Sequence, residues 1–276
     1  MKSTRNFFLR GLFFGCLLTL FCTPAVSAES ITIAGTGDSQ HMLREIAQAF
    51  HQENPDLQVL VPNSVGSGGG IKLLLAGRSE LARVARPLKP KEQAEGLTQR
   101  IFAYSPIVFV AHLPAPCLDN ITTQQYLDIL SGKINNWAQL GNCTANNIYI
   151  ANREDGDSSR EVLEREIPAM SSIENPEGRT IYSTPETYDT LNRYLFSFGY
   201  LPRSQVHKGN LTILNYNGLS PTTDNIQQGH YKLVVPLAVA WHGTPNGATK
   251  KFIDFLFSPK VKQLITTLGA VPGKAE

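Results

Sequence analysis

The chain has no apolar run long enough to cross a bilayer and stay there. Its candidate, Gly11-Leu-Phe-Phe-Gly-Cys-Leu-Leu-Thr-Leu-Phe21, falls short of the roughly 20 residues that a spanning helix needs. Charge of one sign is also lacking, since 25 Lys and Arg stand against 23 Asp and Glu. A nucleic-acid partner is therefore not expected, because such binders concentrate a basic excess. Histidine is scarce: the six residues are scattered and no pair has a His-x-x-x-His spacing, so no metal centre is expected. No internal repeat, low-complexity tract or long charged run appears.

Catalytic signatures are missing too. Gly66 to Lys72 lacks the four-residue spacer before Gly-Lys, and the Ser or Thr after it, that a phosphate-cradling P-loop requires. Ser67 has Val65 where a nucleophile elbow has its first glycine. With no nucleophile beside a base, neither an enzyme nor a cofactor is expected. A secreted hydrolase remains a contrary reading because fold does not fix function.

What is present begins at the amino terminus. Lys2, Arg5 and Arg10 precede the apolar run without an acid, and Val26-Ser27-Ala28 follows it. Residues 1–28 therefore read as a cleaved signal peptide and the rest as a soluble, exported chain, periplasmic or otherwise secreted. A membrane anchor is the competing reading; lipid attachment at Cys22 is disfavoured by bulky Phe21 before it. Cleavage removes Cys16 and Cys22 and leaves Cys117 and Cys143. In an oxidising compartment these two most simply pair, the alternative being two unpaired buried thiols.

The mature chain of about 250 residues exceeds one compact core, which predicts two lobes. Strand-like Ile31–Ala34 is followed by Leu43, Ile46, Ala47 and Phe50 at helical spacing, then by strand-like Leu57–Val61. This alternation predicts an α/β fold with a largely parallel sheet. A helix is expected after Gly66-Ser-Gly-Gly-Gly70, ending at Gly77, then strands at Leu81–Val84 and Ile107–Ala111. Beyond Pro114 and Pro116 come a helix over Thr123–Leu130, a strand over Ile148–Ala151 and a helix from near Ser158 to Pro168. A further helix starts near Pro185, with Tyr188, Leu191 and Leu195 on one face, and a strand pair is expected around the Asn217-Gly218 turn. Strand-like Leu233–Ala240 and helices over Thr249–Phe257 and Pro259–Leu268 return the chain to the first unit. One lobe would comprise 29–110 and 233–276, the other 111–232. Two crossover strands between them make a hinge, able to close both lobes on a ligand. Trp137 and Trp241 read as core residues, a place near the cleft being the alternative.

Three segments can present backbone N–H groups at a helix start, the usual means of holding an anion without a full counter-charge. They are Gly35-Thr-Gly-Asp-Ser39, Gly66-Ser-Gly-Gly-Gly70 and Asp155-Gly-Asp-Ser-Ser159, with hydroxyls at Thr36, Ser39, Ser67, Ser158 and Ser159. Any one of them alone is an ordinary turn or cap, and Ser158-Ser-Arg-Glu161 reads as a capping box.

Together with Arg86-Pro87-Leu88, Ile129-Leu-Ser-Gly-Lys-Ile-Asn-Asn-Trp137, Arg153-Glu-Asp-Gly156, Gly199-Tyr200, Pro221-Thr-Thr-Asp-Asn-Ile226, Phe252-Ile-Asp-Phe-Leu-Phe-Ser-Pro259 and Leu268-Gly-Ala-Val-Pro272, these segments occur in a recognisable order. Over nearly the whole mature chain the sequence resembles the PstS-like phosphate-binding family of periplasmic, type II solute-binding proteins. The resemblance implies a two-lobed α/β protein, monomeric, that captures phosphate or a related oxyanion between its lobes and delivers it to an ABC permease in the inner membrane. It further implies a ligand held by Thr36, Gly37 and Ser39, by Ser67 and Gly68, and by Arg153, Asp155, Asp157, Ser158 and Ser159.

Two departures bear on that ligand. Ala85 stands where the family places a Ser or Asp before the Arg-Pro-Leu segment, removing a donor or a proton-accepting carboxylate. Asp157 stands at a hydroxyl position, where it would repel an anion by one to several kcal/mol, on the order expected for close like charges, unless it turns away or is neutralised by Arg153, Arg160 or Arg83. A binding or sensing module that recognises another solute or a protein is thus the alternative function. Asp155, Asp157, Ser159 and Glu166 also fall at the first, third, fifth and twelfth places of a calcium loop, but Arg160 occupies the place of its glycine.

Overall fold

Residues 29–206 and 209–274 are described by a computed structural model. The expected signal peptide lies outside the described residues. In chain order the elements are β1 (Glu29–Gly35), α1 (Gln40–Glu53), β2 (Leu57–Leu60), α2 (Gly66–Leu75), β3 (Leu81–Val84), α3 (Pro90–Ala94), β4 (Leu97–Ala111), β5 (Asn120–Ile121) and α4 (Thr123–Leu130). There follow β6 (Tyr149–Arg153), α5 (Ser158–Glu166), β7 (Arg179–Ile181), α6 (Thr184–Arg193), β8 (Ser197–Pro202), β9 (Thr212–Tyr216), α7 (Thr223–Gln227), β10 (Val234–His242), α8 (Gly247–Leu256), α9 (Pro259–Thr267) and β11 (Val271–Pro272).

The strands run β2-β1-β3-β10-β4-β8-β6-β7, with β11, β9 and β5 attached off this path. Pairing is mixed, not largely parallel as the alternation predicts. β1 is parallel to β2 and β3, and β6 is parallel to β7 and β8, as connections through helices require. The centre is antiparallel because the chain leaves and returns there: β10 runs against β3 and β4, and β4 runs against β8 and β9. β4 itself changes partners, its residues 97–106 pairing with β10 and 107–111 with β8.

Helix α1 buries Met42, Leu43, Ile46, Ala47 and Phe50, the stripe its periodicity predicts, and Phe50 meets Phe252 edge-on at 5.2 Å between ring centroids. On the other side Phe109 stacks on Phe198, and Trp137, fully buried, donates its indole N–H to the Phe196 carbonyl at 2.9 Å. Trp241 is partly exposed at the edge of the core. A disulfide joins Cys117 to Cys143, 5.1 Å apart at Cα, tying the chain around α4 and the Trp137 turn.

Three local expectations fail for identifiable reasons. Helix α6 stops at Arg193, so Leu195 lies beyond it and is largely exposed. The Asn217-Gly218 turn closes only a Tyr216–Leu219 bridge, because β9 pairs with β4 and β5 instead of a hairpin partner. The cap of α5 is Asp157, whose side chain accepts the Arg160 N–H, so Ser158 and Ser159 are its first two residues and make no capping box.

Candidate functional site

The expected loops lie at the carboxyl ends of parallel strands, where open α/β sheets bind ligands. β1 leads through 35–39 into α1, β6 leads through 154–157 into α5, and β7 leads through Ser183 into α6. Helix α2 packs its first turn onto β1 so closely that a Cβ on Gly70 would lie 2.6 Å from the Ala34 carbonyl oxygen. Glycine at this position is therefore a steric requirement. Neither α1 nor α2 has a side-chain cap at its N-cap residue; the first N–H of α1 donates to the Gly37 carbonyl at 3.0 Å and that of α2 to Ser64 Oγ at 3.4 Å.

Loop 35–39 is shaped from beneath by Arg83, which is completely buried on β3. Its Nε donates to the Thr36 carbonyl at 2.6 Å, Nη1 to the Ile33 carbonyl, and Nη2 to the Pro62 carbonyl at 2.7 Å and Gln40 Oε1 at 3.4 Å. Burial, and then the nearby Arg44 charge, lowers its pKa to about 10, so it remains a cation at neutral pH. Ser204 and Gln205 hold the loop from above, donating to the carbonyls of Asp38 at 3.4 Å and Gly37 at 3.1 Å.

The two sets of loops meet around Asp38. Its carboxylate is fully buried, accepting from Thr184 Oγ1 at 2.5 Å and from Ser159 Oγ at 3.3 Å. Beside it Ser67 Oγ lies 3.3 Å from Ser158 Oγ and accepts the Ala85 N–H at 3.2 Å. Thus the position of Ala85 still contributes a backbone donor. Thr36, Gly37 and Ser39 are all buried, and the Ser39 hydroxyl has no hydrogen-bond partner.

Arg153 resolves the question of Asp157. Its Nη2 donates to Asp157 Oδ2 at 2.5 Å and its Nη1 to Thr187 Oγ1 at 2.8 Å, and both ionic side chains are over nine-tenths buried. Burial disfavours the guanidinium charge, but the carboxylates of Asp157 and Asp38 outweigh it and raise its pKa. Arg160 reaches Asp157 through its backbone alone; its guanidinium binds Glu164, Asp155 and the Arg153 carbonyl. The hydrogen bonds of Arg83 go to the neutral acceptors already named.

Of the expected site residues, Thr36, Gly37, Ser39, Ser67, Arg153, Asp157, Ser158 and Ser159 are buried at or beside this convergence. Gly68 is exposed, and the Asp155 side chain points outward, 90% accessible, against Arg160. The calcium-loop arrangement does not assemble, since Asp157 faces Arg153 and Ser159 faces Asp38; among the described residues no acidic or His/Cys cluster could hold a metal. Asp38, Thr184 and Thr187 are the residues that sequence reasoning passed over.

Burial first, and then the Asp157 charge, pushes the Asp38 carboxyl up from 3.8 to about 7, against the opposing influence of Arg153 and the two hydroxyls. At neutral pH the group is poised between its neutral and charged forms. The convergence therefore offers hydroxyls, helix N-termini and one paired guanidinium, with a titrating carboxyl among them.

A two-lobed α/β fold with helix starts gathered between its halves defines the class of extracytoplasmic binding proteins. The chain belongs to the PBP superfamily, whose domain model matches residues 23–260, and within it is PstS-like. It is 26% identical over 251 residues to the phosphate-binding protein PstS of Bacillus subtilis (strain 168), covering 89% of this chain and 81% of that one. An ABC-type phosphate transport receptor from Vibrio cholerae is 26% identical with a TM-score of 0.61, over 87% of this chain and 99% of that one. A phosphate ABC transporter substrate-binding protein from Clostridium perfringens, solved with phosphate bound, superposes with a TM-score of 0.77 at 24% identity, over 89% and 100% of the two chains. No helix among the described residues is long and apolar enough to cross a membrane.

Proposed function

We propose that this chain is a solute receptor that captures phosphate or a related oxyanion between its lobes and presents it to an ABC permease, acting outside the cytoplasm as a monomer and without catalysis. The lobes are taken as 29–110 with 233–276, and 111–232. The observation that carries the reading is the meeting of Ser67 with Ser158, and of loop 35–39 with Ser159 and Thr184, at the amino ends of α1, α2, α5 and α6. Such an array suits an oxyanion because many oriented N–H and O–H dipoles share its charge. The ligand role of Thr36, Gly37, Ser39, Ser67, Arg153, Ser158 and Ser159 follows, with Asp157 orienting Arg153. Asp155 and Gly68 contribute at most to the shape of their loops. The names of the relatives support phosphate as the solute and import as the purpose. Ligand selects the closed state by touching both lobes.

The test is calorimetric titration of ligand-stripped protein with phosphate, arsenate, sulfate, molybdate and tungstate. Saturable phosphate binding at one site is the expected result. Silence toward every oxyanion would overturn the reading. The presence of two carboxyls, Asp38 and Asp157, at the convergence favours one competing reading: a binding or sensing module on the same fold that recognises a different solute or a protein.

A further inference from the structure

We propose that the Asp38 carboxylate is a tethered internal anion, which occupies the oxyanion position, holds the lobes together without solute, and must be displaced or neutralised before solute can bind. This deepens the receptor reading and rests on it for the identity of the solute. Three observations carry it. Asp38 belongs to the β1–α1 loop, yet both its oxygens are engaged by residues far along the chain, at the starts of two helices from the other lobe. Thr184 is the first residue of α6 and Ser159 the second of α5, so the carboxylate lies where those helices favour negative charge. Arg153 supplies the adjoining full positive charge.

The backbone around Asp38 is seated to match. A Cβ on Gly37 would come within 2.8 Å of Pro185 Cδ and 3.1 Å of the Thr184 side chain, so the loop lies directly on the start of α6. From the hinge side, Ser204 and Gln205 hold the two carbonyls that flank the carboxylate. Ser159 is among the hydroxyls assigned to an incoming oxyanion, and Asp38 already takes its hydrogen bond together with that of Thr184. The competition is intramolecular, and its strength is set by effective concentration, not by the affinity of a free carboxylate.

Protonation leaves Asp38 seated, because burial favours its neutral form, but it removes the like charge that an incoming oxyanion would meet. The charged groups that face Asp38 are Asp157, which favours the neutral form, and Arg153, which favours the ionised one; Thr184 and Ser159 complete the shell, and Arg83 lies beneath the loop. With titration near 7, the neutral fraction falls roughly tenfold between pH 6 and pH 8.

The experiment combines small-angle scattering with phosphate titration at pH 6 and pH 8 for the mature protein, Asp38→Asn and Thr184→Val. Wild-type protein stripped of solute should be compact and Thr184→Val expanded, and saturating phosphate should close that variant. Asp38→Asn should bind phosphate at least tenfold more tightly than wild type at pH 8, and that ratio should shrink at pH 6. Taking the ratio at each pH cancels the ionisation of phosphate itself. An open solute-free wild type, or tight phosphate binding that Asp38→Asn leaves unchanged or weakens, would overturn the tether while leaving the receptor reading intact. If Thr184→Val expands and neither variant binds phosphate, the tether is supported and phosphate falls as the solute. Thr184→Val keeps the test decisive should Asp38→Asn fold poorly, because it removes the hydrogen bond while retaining the carboxylate.

Discussion

Replacing Asp157 by serine separates two roles that this side chain combines. It caps α5 through the Arg160 N–H and it neutralises Arg153 at 2.5 Å. Serine is also a good N-cap, so the capping contribution of roughly 1 kcal/mol is largely retained. The ion pair is lost outright. Removing one partner of a buried pair typically costs about 3–5 kcal/mol because the remaining charge is stranded. Here the loss should fall at the lower end, since Arg153 keeps Thr187 as an acceptor and has Asp38 nearby. What destabilises the empty protein should favour an anion, because the freed guanidinium gains a partner and a like charge leaves the site. A tenfold gain in phosphate affinity, about 1.4 kcal/mol, is the minimum expected. Urea unfolding of wild type and Asp157→Ser, each with and without phosphate, reads both effects. Phosphate at a hundred times its dissociation constant should restore about 2.7 kcal/mol by mass action. A variant that is less stable but gains neither affinity nor phosphate protection would refute the assignment of Asp157 to the ligand side of Arg153.

Opening the Cys117–Cys143 bridge by Cys→Ser at both positions should lower stability by about 3–4 kcal/mol, the loop-closure value for a separation of 26 residues, in denaturant titrations of the oxidised and substituted proteins. Gly37→Ala should leave the fold intact but hinder approach of the lobes, since the new methyl meets Pro185; scattering with saturating phosphate should then show an expanded particle. The pH dependence of stability has a definite sign at Asp38. Its folded-state pKa lies above 3.8, so between about pH 4 and 7 the native state binds the extra proton, and stability falls as pH rises through that window. The full effect is on the order of 4 kcal/mol, is complete above about pH 7, and should vanish from the Asp38→Asn profile measured by urea unfolding.

Local periodicity made much of the scaffold legible. The spacing of Leu43, Ile46, Ala47 and Phe50 marks the buried face of α1, and those residues are buried. Glycine and proline marked where α2, α4 and α9 begin or end, because those signals act within one turn of chain. The mixed sheet was not legible, since the antiparallel centre depends on β10 returning beside β4 after more than a hundred residues. Neither was the role of Asp38. In Gly37-Asp38-Ser39 it reads as a turn residue ahead of a helix, and nothing local signals partners 121 and 146 positions away. Thr184 and Thr187 likewise look like helix-start residues until the fold brings them to Asp38 and Arg153. Asp157 was identified as an anomaly from sequence, but which of three arginines would meet it was decided by packing.

The two departures from the family pattern are best understood together, as a redistribution of charge. Ala85 removes a side-chain function at the end of β3 and leaves an N–H that Ser67 accepts. A carboxyl enters the site from loop 35–39 instead, at Asp38, and a second at Asp157 pairs with Arg153. With Arg153 and Asp157 cancelling, the net charge of the cluster is that of Asp38 alone, zero when protonated and minus one when ionised. The remaining attraction for an anion comes from helix N-termini, each equivalent to roughly half a positive charge. Those dipoles can hold either Asp38 or a solute, but an ionised carboxylate and a dianion placed together would repel at short range by several kcal/mol, on the order of 8 at 4 Å under near-surface screening. Solute capture in this protein is therefore coupled to the state of one buried carboxyl, which reaches from loop 35–39 to the starts of α5 and α6.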